Sequence, residues 1–324
     1  MTEAGARAPD RYGARVASVL VLCLPIFAVI GLGFAAVRLR TVPMVMVEAV
    51  GAFAFHFALP ALLFRLLATQ PLAEILDARF LLGYLAACLA TLLGVMGLAA
   101  LPGGRARQPA AALGAAAAFG NVGYLGPPLL LSLMGERVSG PLAMAIMAEV
   151  TVILMLGDVL MAPPGAEDRG PLRRAFRALA VSPVILAIAA GSMVGAIGLP
   201  LPESLDRFLA FLGGAAGPTA LFALGGTLGR LRFRRRLLAI AAAVSAAKLV
   251  AYPALAWLSL HLVLGLEPLW VTAGVLLAAM PIASNAFILA QRHGTATEEV
   301  SAAVLLSTVL AVAAFPLTAW LLAG

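Results

Sequence analysis

Charge is what this sequence has least of. Asp, Glu, Lys and Arg make up 11% of its 324 residues, against roughly 25% in a soluble domain. That shortage excludes an ordinary soluble fold. Cysteine is nearly absent too. Cys23 and Cys88 both lie inside apolar runs, so they suit small core positions and exclude a disulfide or thiolate-metal framework. No nucleophile–base pair, phosphate-binding loop or metal-ligand spacing is present, so no catalytic residue, metal site or cofactor is expected. Ser284 is the one serine close to a helix break, and no basic residue stands beside it, which leaves an intramembrane enzyme without its parts. A single lysine stands against 21 arginines. Lysine codons are AT-rich, so this bias points to a GC-rich bacterial genome and hence to the bacterial cytoplasmic (inner) membrane. The net charge of +7 falls largely in loops, where it reports orientation rather than nucleic-acid binding.

What fills the chain is apolar: 63% of residues are hydrophobic and the mean hydropathy is +1.04. Runs long enough to cross a bilayer recur throughout. An all-α polytopic membrane protein is therefore expected, with ten spans near 16–37, 44–67, 79–101, 108–133, 139–162, 178–198, 204–229, 237–263, 268–291 and 297–322. Residues 1–15 form a polar tail, and the first apolar run is too long for a signal peptide, so an uncleaved first helix is expected. The one long polar connection, 163–177, is basic and divides the chain into five-span halves, 16–162 and 178–324.

The halves echo each other. Pro60-Ala61-Leu62-Leu63-Phe64 in span two answers to Pro218-Thr219-Ala220-Leu221-Phe222 in span seven. Asn121 follows Pro60 by 61 residues and Asn285 follows Pro218 by 67. Five is odd, so the second half must sit inverted in the membrane, an architecture common among carriers. Arginine distribution sets the orientation. Fourteen lie in the loops on one side and seven on the other, which places the fourteen in the cytoplasm and both termini in the periplasm.

Span four carries Gly120-Asn121-Val122-Gly123-Tyr124-Leu125-Gly126-Pro127-Pro128, a stretch no ordinary buried helix would choose. Proline removes a helical N–H and pushes its predecessor out of the α region. Gly126, Pro127 and Pro128 therefore mark a helix break, and Pro281 marks a looser one in span nine. Freed backbone at membrane depth must be buried in protein or line a wet cavity. Paired interrupted helices in corresponding places point to a carrier's binding site. Asn121 and Asn285 offer donors and an acceptor there without charge. The half-helices beginning near Pro128 and Ala286 would aim positive ends at the same place, favouring an anion. Equally, the asparagines would serve to cap the broken backbone. Gly123, Tyr124, Pro128 and Ser284 complete the candidate substrate-contacting set.

Glu149 and Lys248 are the ionisable residues deepest in apolar sequence. A charge at that depth costs roughly 3 kcal/mol or more, so each needs a partner or a function. Charge coupling and a structural pairing fit them equally. His56 on span two is a further coupling candidate, although a lone histidine on an apolar helix is more often a satisfied core residue. Gly191, Gly195, Gly213, Gly214 and Gly217 are expected at close helix contacts.

Leu59-Pro60-Ala61-Leu62-Leu63-Phe64, the Gly120–Leu129 segment, Lys248-Leu249-Val250-Ala251-Tyr252-Pro253 and Met280-Pro281-Ile282-Ala283-Ser284-Asn285-Ala286-Phe287 together resemble the auxin efflux carrier family, which includes bacterial malonate-type carriers and the plant PIN-type exporters. The resemblance runs in order over nearly the whole chain. It implies a scaffold domain of helices 1, 2, 6 and 7 and a transport domain of helices 3–5 and 8–10. It also implies that broken helices 4 and 9 cross at the substrate site, that access alternates by an elevator movement, and that a homodimer forms through the scaffold. Small carboxylates such as auxin or malonate are the substrates it suggests. The chain departs from the PIN pattern at Ala286, where a proline is expected, so Pro281 would supply the bend one turn earlier. A sodium- or proton-coupled symporter of bile-acid-transporter-like architecture and a ligand sensor that moves nothing are the alternatives.

Overall fold

The computed structural model describes residues 24–70, 76–101, 104–162, 182–230 and 235–322. The polar tail 1–15, the basic loop 163–177 and Cys23 lie outside the described residues, so the division of the chain at that loop does too.

The described residues are helical apart from short connections and one isolated β-bridge. In chain order the helices are α1 (Leu24–Arg38), α2 (Met44–Ala68), α3 (Ala78–Ala99), α4 (Arg107–Ala118), α5 (Gly126–Met134), α6 (139–161), α7 (Pro183–Ile197), α8 (Glu203–Arg230), α9 (Arg235–Val263), α10 (Pro268–Ala278), α11 (Ser284–Arg292) and α12 (Thr297–Leu322). Six continuous helical runs are long and apolar enough to cross a bilayer: α2, α3, α5 with α6, α8, α9 and α12. Their 22 to 36 residues exceed the roughly 20 needed at 1.5 Å per residue. Large apolar side chains such as Leu98, Phe211 and Val263 face outward and are exposed, an arrangement that lipid rather than water makes favourable. The molecule is a polytopic helical membrane protein.

Small residues set how closely the helices approach. A methyl group on Gly191 of α7 would fall 2.7 Å from the Phe64 carbonyl oxygen, and one on Gly195 would meet the carbonyls of Leu67 and Gln70. The α7 backbone therefore lies against the second half of α2. Gly213 makes the same kind of approach to Leu62, where a methyl would fall 2.9 Å from Cα. Gly33 of α1 and Gly225 of α8 each face a carbonyl of the other helix. These contacts join α1, α2, α7 and α8 into one group. A second group packs α3 and α4 with α6, and α9 with α10 and α12. Gly217 touches across the two, a methyl there reaching the Pro128 ring at 3.4 Å. Gly214 corrects the sequence expectation: nothing lies within 4 Å of a methyl placed on it, so it makes no close contact.

Polar cross-links tie the two groups at the Gln70 end of α2. Gln70 Nε2 donates to the Glu136 carbonyl at 2.9 Å, and Gln70 Oε1 accepts from Ser139 Oγ at 2.8 Å. Arg65 forks onto Asp206 of α8 at 2.7 and 3.3 Å and lies 3.6 Å from Glu136. Gly135, at φ 69°, turns the chain between α5 and α6 in a conformation glycine adopts without strain.

Three long helices widen locally into π-helical turns: Ala54–Ala58 in α2, Ala148–Ile153 in α6, and Ala247–Ala251 followed by Leu258–Val263 in α9. Pro60 follows the turn in α2, and Pro253 follows the first of the two in α9. Neither can donate to the carbonyl four residues back, so the backbone absorbs an extra residue there. Such turns often occur at functional sites. Here they hold His56, Glu149 and Lys248.

Candidate functional site

The fourth and ninth expected spans are both interrupted. The first interruption covers residues 119–125, between α4 and α5, and the second covers 279–283, between α10 and α11. Pro127 and Pro128 stand in the first turn of α5, where a missing N–H costs nothing and the fixed φ suits a helix start. The double proline thus opens the second helical piece, and the break itself lies upstream, from the extended Phe119 through the turn at 122–125. Pro281 sits in the middle of the second interruption, and α11 begins at Ser284, two residues before Ala286.

The two interruptions are hydrogen-bonded to each other. Gly120 and Ile282 form an antiparallel bridge, in which the Asn121 N–H donates to the Pro281 carbonyl at 2.8 Å and the Ala283 N–H donates to the Phe119 carbonyl at 3.0 Å. Three more of the freed groups find side chains. The Gly120 N–H donates to Glu149 Oε2 at 2.7 Å, the Ile282 N–H to Ser307 Oγ at 3.1 Å, and Lys248 Nζ donates to the Ala278 carbonyl at 2.6 Å. Unpaired backbone would cost several kcal/mol per group in lipid, so these partners are what allow the helices to break there.

Glu149 and Lys248 are both fully buried. The carboxylate also accepts from Tyr84 at 2.7 Å and Tyr252 at 3.3 Å. The ammonium lies 4.3 Å from the centre of the Tyr252 ring, a cation–π distance. Gly120 keeps the space between them open. A methyl there would fall 3.0 Å from Lys248 Nζ and 3.3 Å from each Glu149 oxygen. Each charge therefore serves one interruption, which decides for backbone satisfaction as at least part of their role. Cys88 joins the same cluster, with Sγ 3.2 Å from the Ala118 carbonyl.

A cavity of about 310 Å³ opens beside the interruptions. Tyr124, Ser284 and Asn285 line one wall, and residues of α2 and α8, His56 and Thr227 among them, line the other. A larger cavity of about 530 Å³ shares Glu48, Thr227 and Ile288 with it and extends to Arg230 and Gln291. Of the residues singled out in sequence, Tyr124, Ser284, Asn285 and His56 thus share one space. Asn121 is only 2% exposed and is not one of the residues lining that cavity, with Nδ2 making no hydrogen bond. The Ser284 hydroxyl is likewise without a partner. Gly123 is half-buried with open space beside it, and Pro128 packs on Gly217 of α8.

Sequence reasoning passed over Tyr84, Tyr252, Cys88 and Ser307. Tyr252 carried a signal, since it follows Lys248 by four residues and so shares its helix face. Ser307 and Cys88 carried none. Asp158 lies 2.9 Å from His293 Nε2. Among the described residues no group of three or more His, Cys, Asp or Glu gathers to hold a metal ion.

A family model described as "Membrane transport protein" matches residues 18–170 and 171–321. The chain belongs to the auxin efflux carrier family. A protein of Rhizobium meliloti (strain 1021) named "Putative malonate transporter" is 34% identical to this family member over 301 residues, which is 92% of this chain and 94% of that protein. Members of the family are transporters rather than enzymes, and this chain is a membrane transport protein.

Proposed function

We propose that this auxin efflux carrier family member is a secondary carrier of small organic anions, and that its substrate sits in the cavity beside the two interruptions. The observation that carries this reading is the position of that cavity. Its walls come from two different helix groups, α2 and α8 on one side and the breaks near Tyr124, Ser284 and Asn285 on the other. The first group, with α1 and α7, corresponds to a scaffold; α3–α6 and α9–α12 correspond to a transport domain. Movement of the second group along the first would carry the cavity's contents across, which is the elevator form of alternating access.

The chemistry at the interruptions favours an anion. The N-terminus of α11 has no side-chain cap, and its unpaired amides carry partial positive charge. The Ser284 hydroxyl, which has no partner, can donate as well. Positions 121 and 285 are themselves amides and not the carboxylates that would hold a cation instead. On this reading ten spans form two inverted repeats whose broken helices cross at the site. The fourteen-arginine side faces the cytoplasm of a bacterial inner membrane, both termini lie outside, and a homodimer forms through the scaffold. The larger cavity reaching Arg230 would then open to the cytoplasm, while the Gln70 cross-links close the outer side.

Flux of labelled malonate and of an auxin-like carboxylate into liposomes containing the purified protein tests the proposal. Saturable uptake that falls when Asn285 is replaced by leucine is the expected result. Specific binding without uptake would make the protein a sensor. Strict sodium dependence would favour the symporter architecture.

A further inference from the structure

We propose that His56 is the charge-selecting residue of the cavity, making a dicarboxylate the preferred substrate over a monocarboxylate. The inference rests on the cavity beside the interruptions being the substrate site. Donors on the interruption side, from Ser284, Asn285 and the start of α11, suffice for one carboxylate. They leave the opposite wall to be explained. That wall is largely apolar, with Val47, Phe55, Ala223 and Leu224 lining it, and a second carboxylate facing it alone would be strongly disfavoured. His56 is the one basic side chain lining this cavity.

Its ring geometry fits the task. His56 Nδ1 lies 2.9 Å from the Ala52 carbonyl oxygen, and a carbonyl can only accept, so Nδ1 carries the hydrogen and Nε2 is left for the ligand. A proton taken from water onto Nε2 makes the ring cationic and a donor to the second carboxylate. The dianion then binds together with one proton and crosses with a net charge of −1. A monocarboxylate gains nothing from that proton. The π-helical turn at Ala54–Ala58, forced by Pro60, is what holds the histidine in this stretch of the wall.

The other titratable groups around the cavity do not compete for the role. Glu48, two turns earlier on α2, repels an anion, and its carboxylate lies 3.6 Å from the Arg230 guanidinium. Tyr124, on the interruption side, stays neutral near physiological pH. The lining residues of α8 and α11 are Ala223, Leu224, Thr227, Ser284, Asn285 and Ile288, none of which titrates.

The experiment is inhibition of labelled malonate flux in liposomes by unlabelled malonate and by its monoamide. In the natural protein malonate should outcompete the monoamide by about tenfold or more, the worth of one charged hydrogen bond. His56→Gln should collapse that margin, because malonate loses far more than the monoamide does. His56→Lys should restore the margin. An unchanged margin in His56→Gln overturns the inference, as does a natural protein that treats malonate and its monoamide alike. Should His56→Gln carry neither compound, His56→Lys decides: a recovered preference for malonate supports the inference and no recovery overturns it. A natural protein that carries no carboxylate at all refutes the transport proposal itself, which is a different failure.

Discussion

Glu149 Oε2 accepts the Gly120 N–H at 2.7 Å, so a carboxylate from α6 completes the backbone of the interruption between α4 and α5. Lys248 does the reciprocal service for the other interruption by donating to the Ala278 carbonyl at 2.6 Å. An acid is needed where the break exposes an N–H, and a base where it exposes a C=O. The pair therefore links any change in protonation at this depth to the geometry of the breaks.

Replacing Glu149 by glutamine is the first prediction. The amide keeps the shape but offers only one oxygen to the donors Tyr84, Tyr252 and Gly120. If Glu149 exchanges a proton during the transport cycle, flux in Glu149→Gln should lose its pH dependence while the protein still elutes as a folded species. A natural pH profile in the variant would leave Glu149 as a structural acceptor alone. Glu149→Ala should be much worse folded, since three donors lose their acceptor at a cost of about 1–3 kcal/mol each.

Two glycines of the same interruption should behave oppositely. A methyl on Gly120 would crowd Lys248 Nζ at 3.0 Å and both Glu149 oxygens at 3.3 Å, and a packed charged cluster has little room to yield. Gly120→Ala is expected to lower the melting temperature by several degrees, corresponding to about 1–3 kcal/mol of overpacking. Gly123→Ala meets nothing within 4 Å and should leave the melting temperature nearly unchanged. Thermal unfolding in detergent distinguishes the two. Any fall in flux for Gly123→Ala without a change in melting temperature would then report contact with substrate.

Substituting leucine for Asn121 or Asn285 should cut transport by about tenfold or more, the equivalent of about 1–3 kcal/mol. Their signatures differ. Asn285 lines the cavity, so Asn285→Leu should raise the KM for the substrate. Asn121 is buried and does not line it, so Asn121→Leu should lower the maximal rate. An amide analogue of the substrate acid should bind more weakly to the natural protein, and equal affinity for acid and amide would count against anion selection.

The Gln70 end of α2 yields a conformational prediction. Gln70→Ala removes both amide bonds, to the Glu136 carbonyl and to Ser139 Oγ. A single cysteine placed near that end should then react faster with a membrane-impermeant thiol reagent added on the side where that end lies. Unaltered reactivity would mean that these bonds do not keep that side closed. Arg65→Ala should have the same effect more weakly, because part of its binding goes to Asp206 within its own helix group.

The sequence by itself determined where the apolar helices run and that two of them are interrupted. Both properties are local. A span needs only enough consecutive apolar residues, and Gly, Asn and Pro at 120–128 or Pro281 disfavour a helix whatever surrounds them. His56, Glu149 and Lys248 stood out for an equally local reason, a titratable group amid hydrocarbon. Tertiary structure decided the rest. It started α5 at the double proline and left the break to the residues before it. It joined Gly120 to Ile282 across half of the chain's length, and it recruited Tyr84, Tyr252 and Ser307 from three other helices. A freed N–H or C=O in the sequence states a demand but not who meets it, because every helix that packs against the break is equally near until the fold is made. The same holds for the cavity: Tyr124, Ser284 and Asn285 announce one wall, while His56 comes to face them only because small residues draw α2, α7 and α8 into one body beside the breaks.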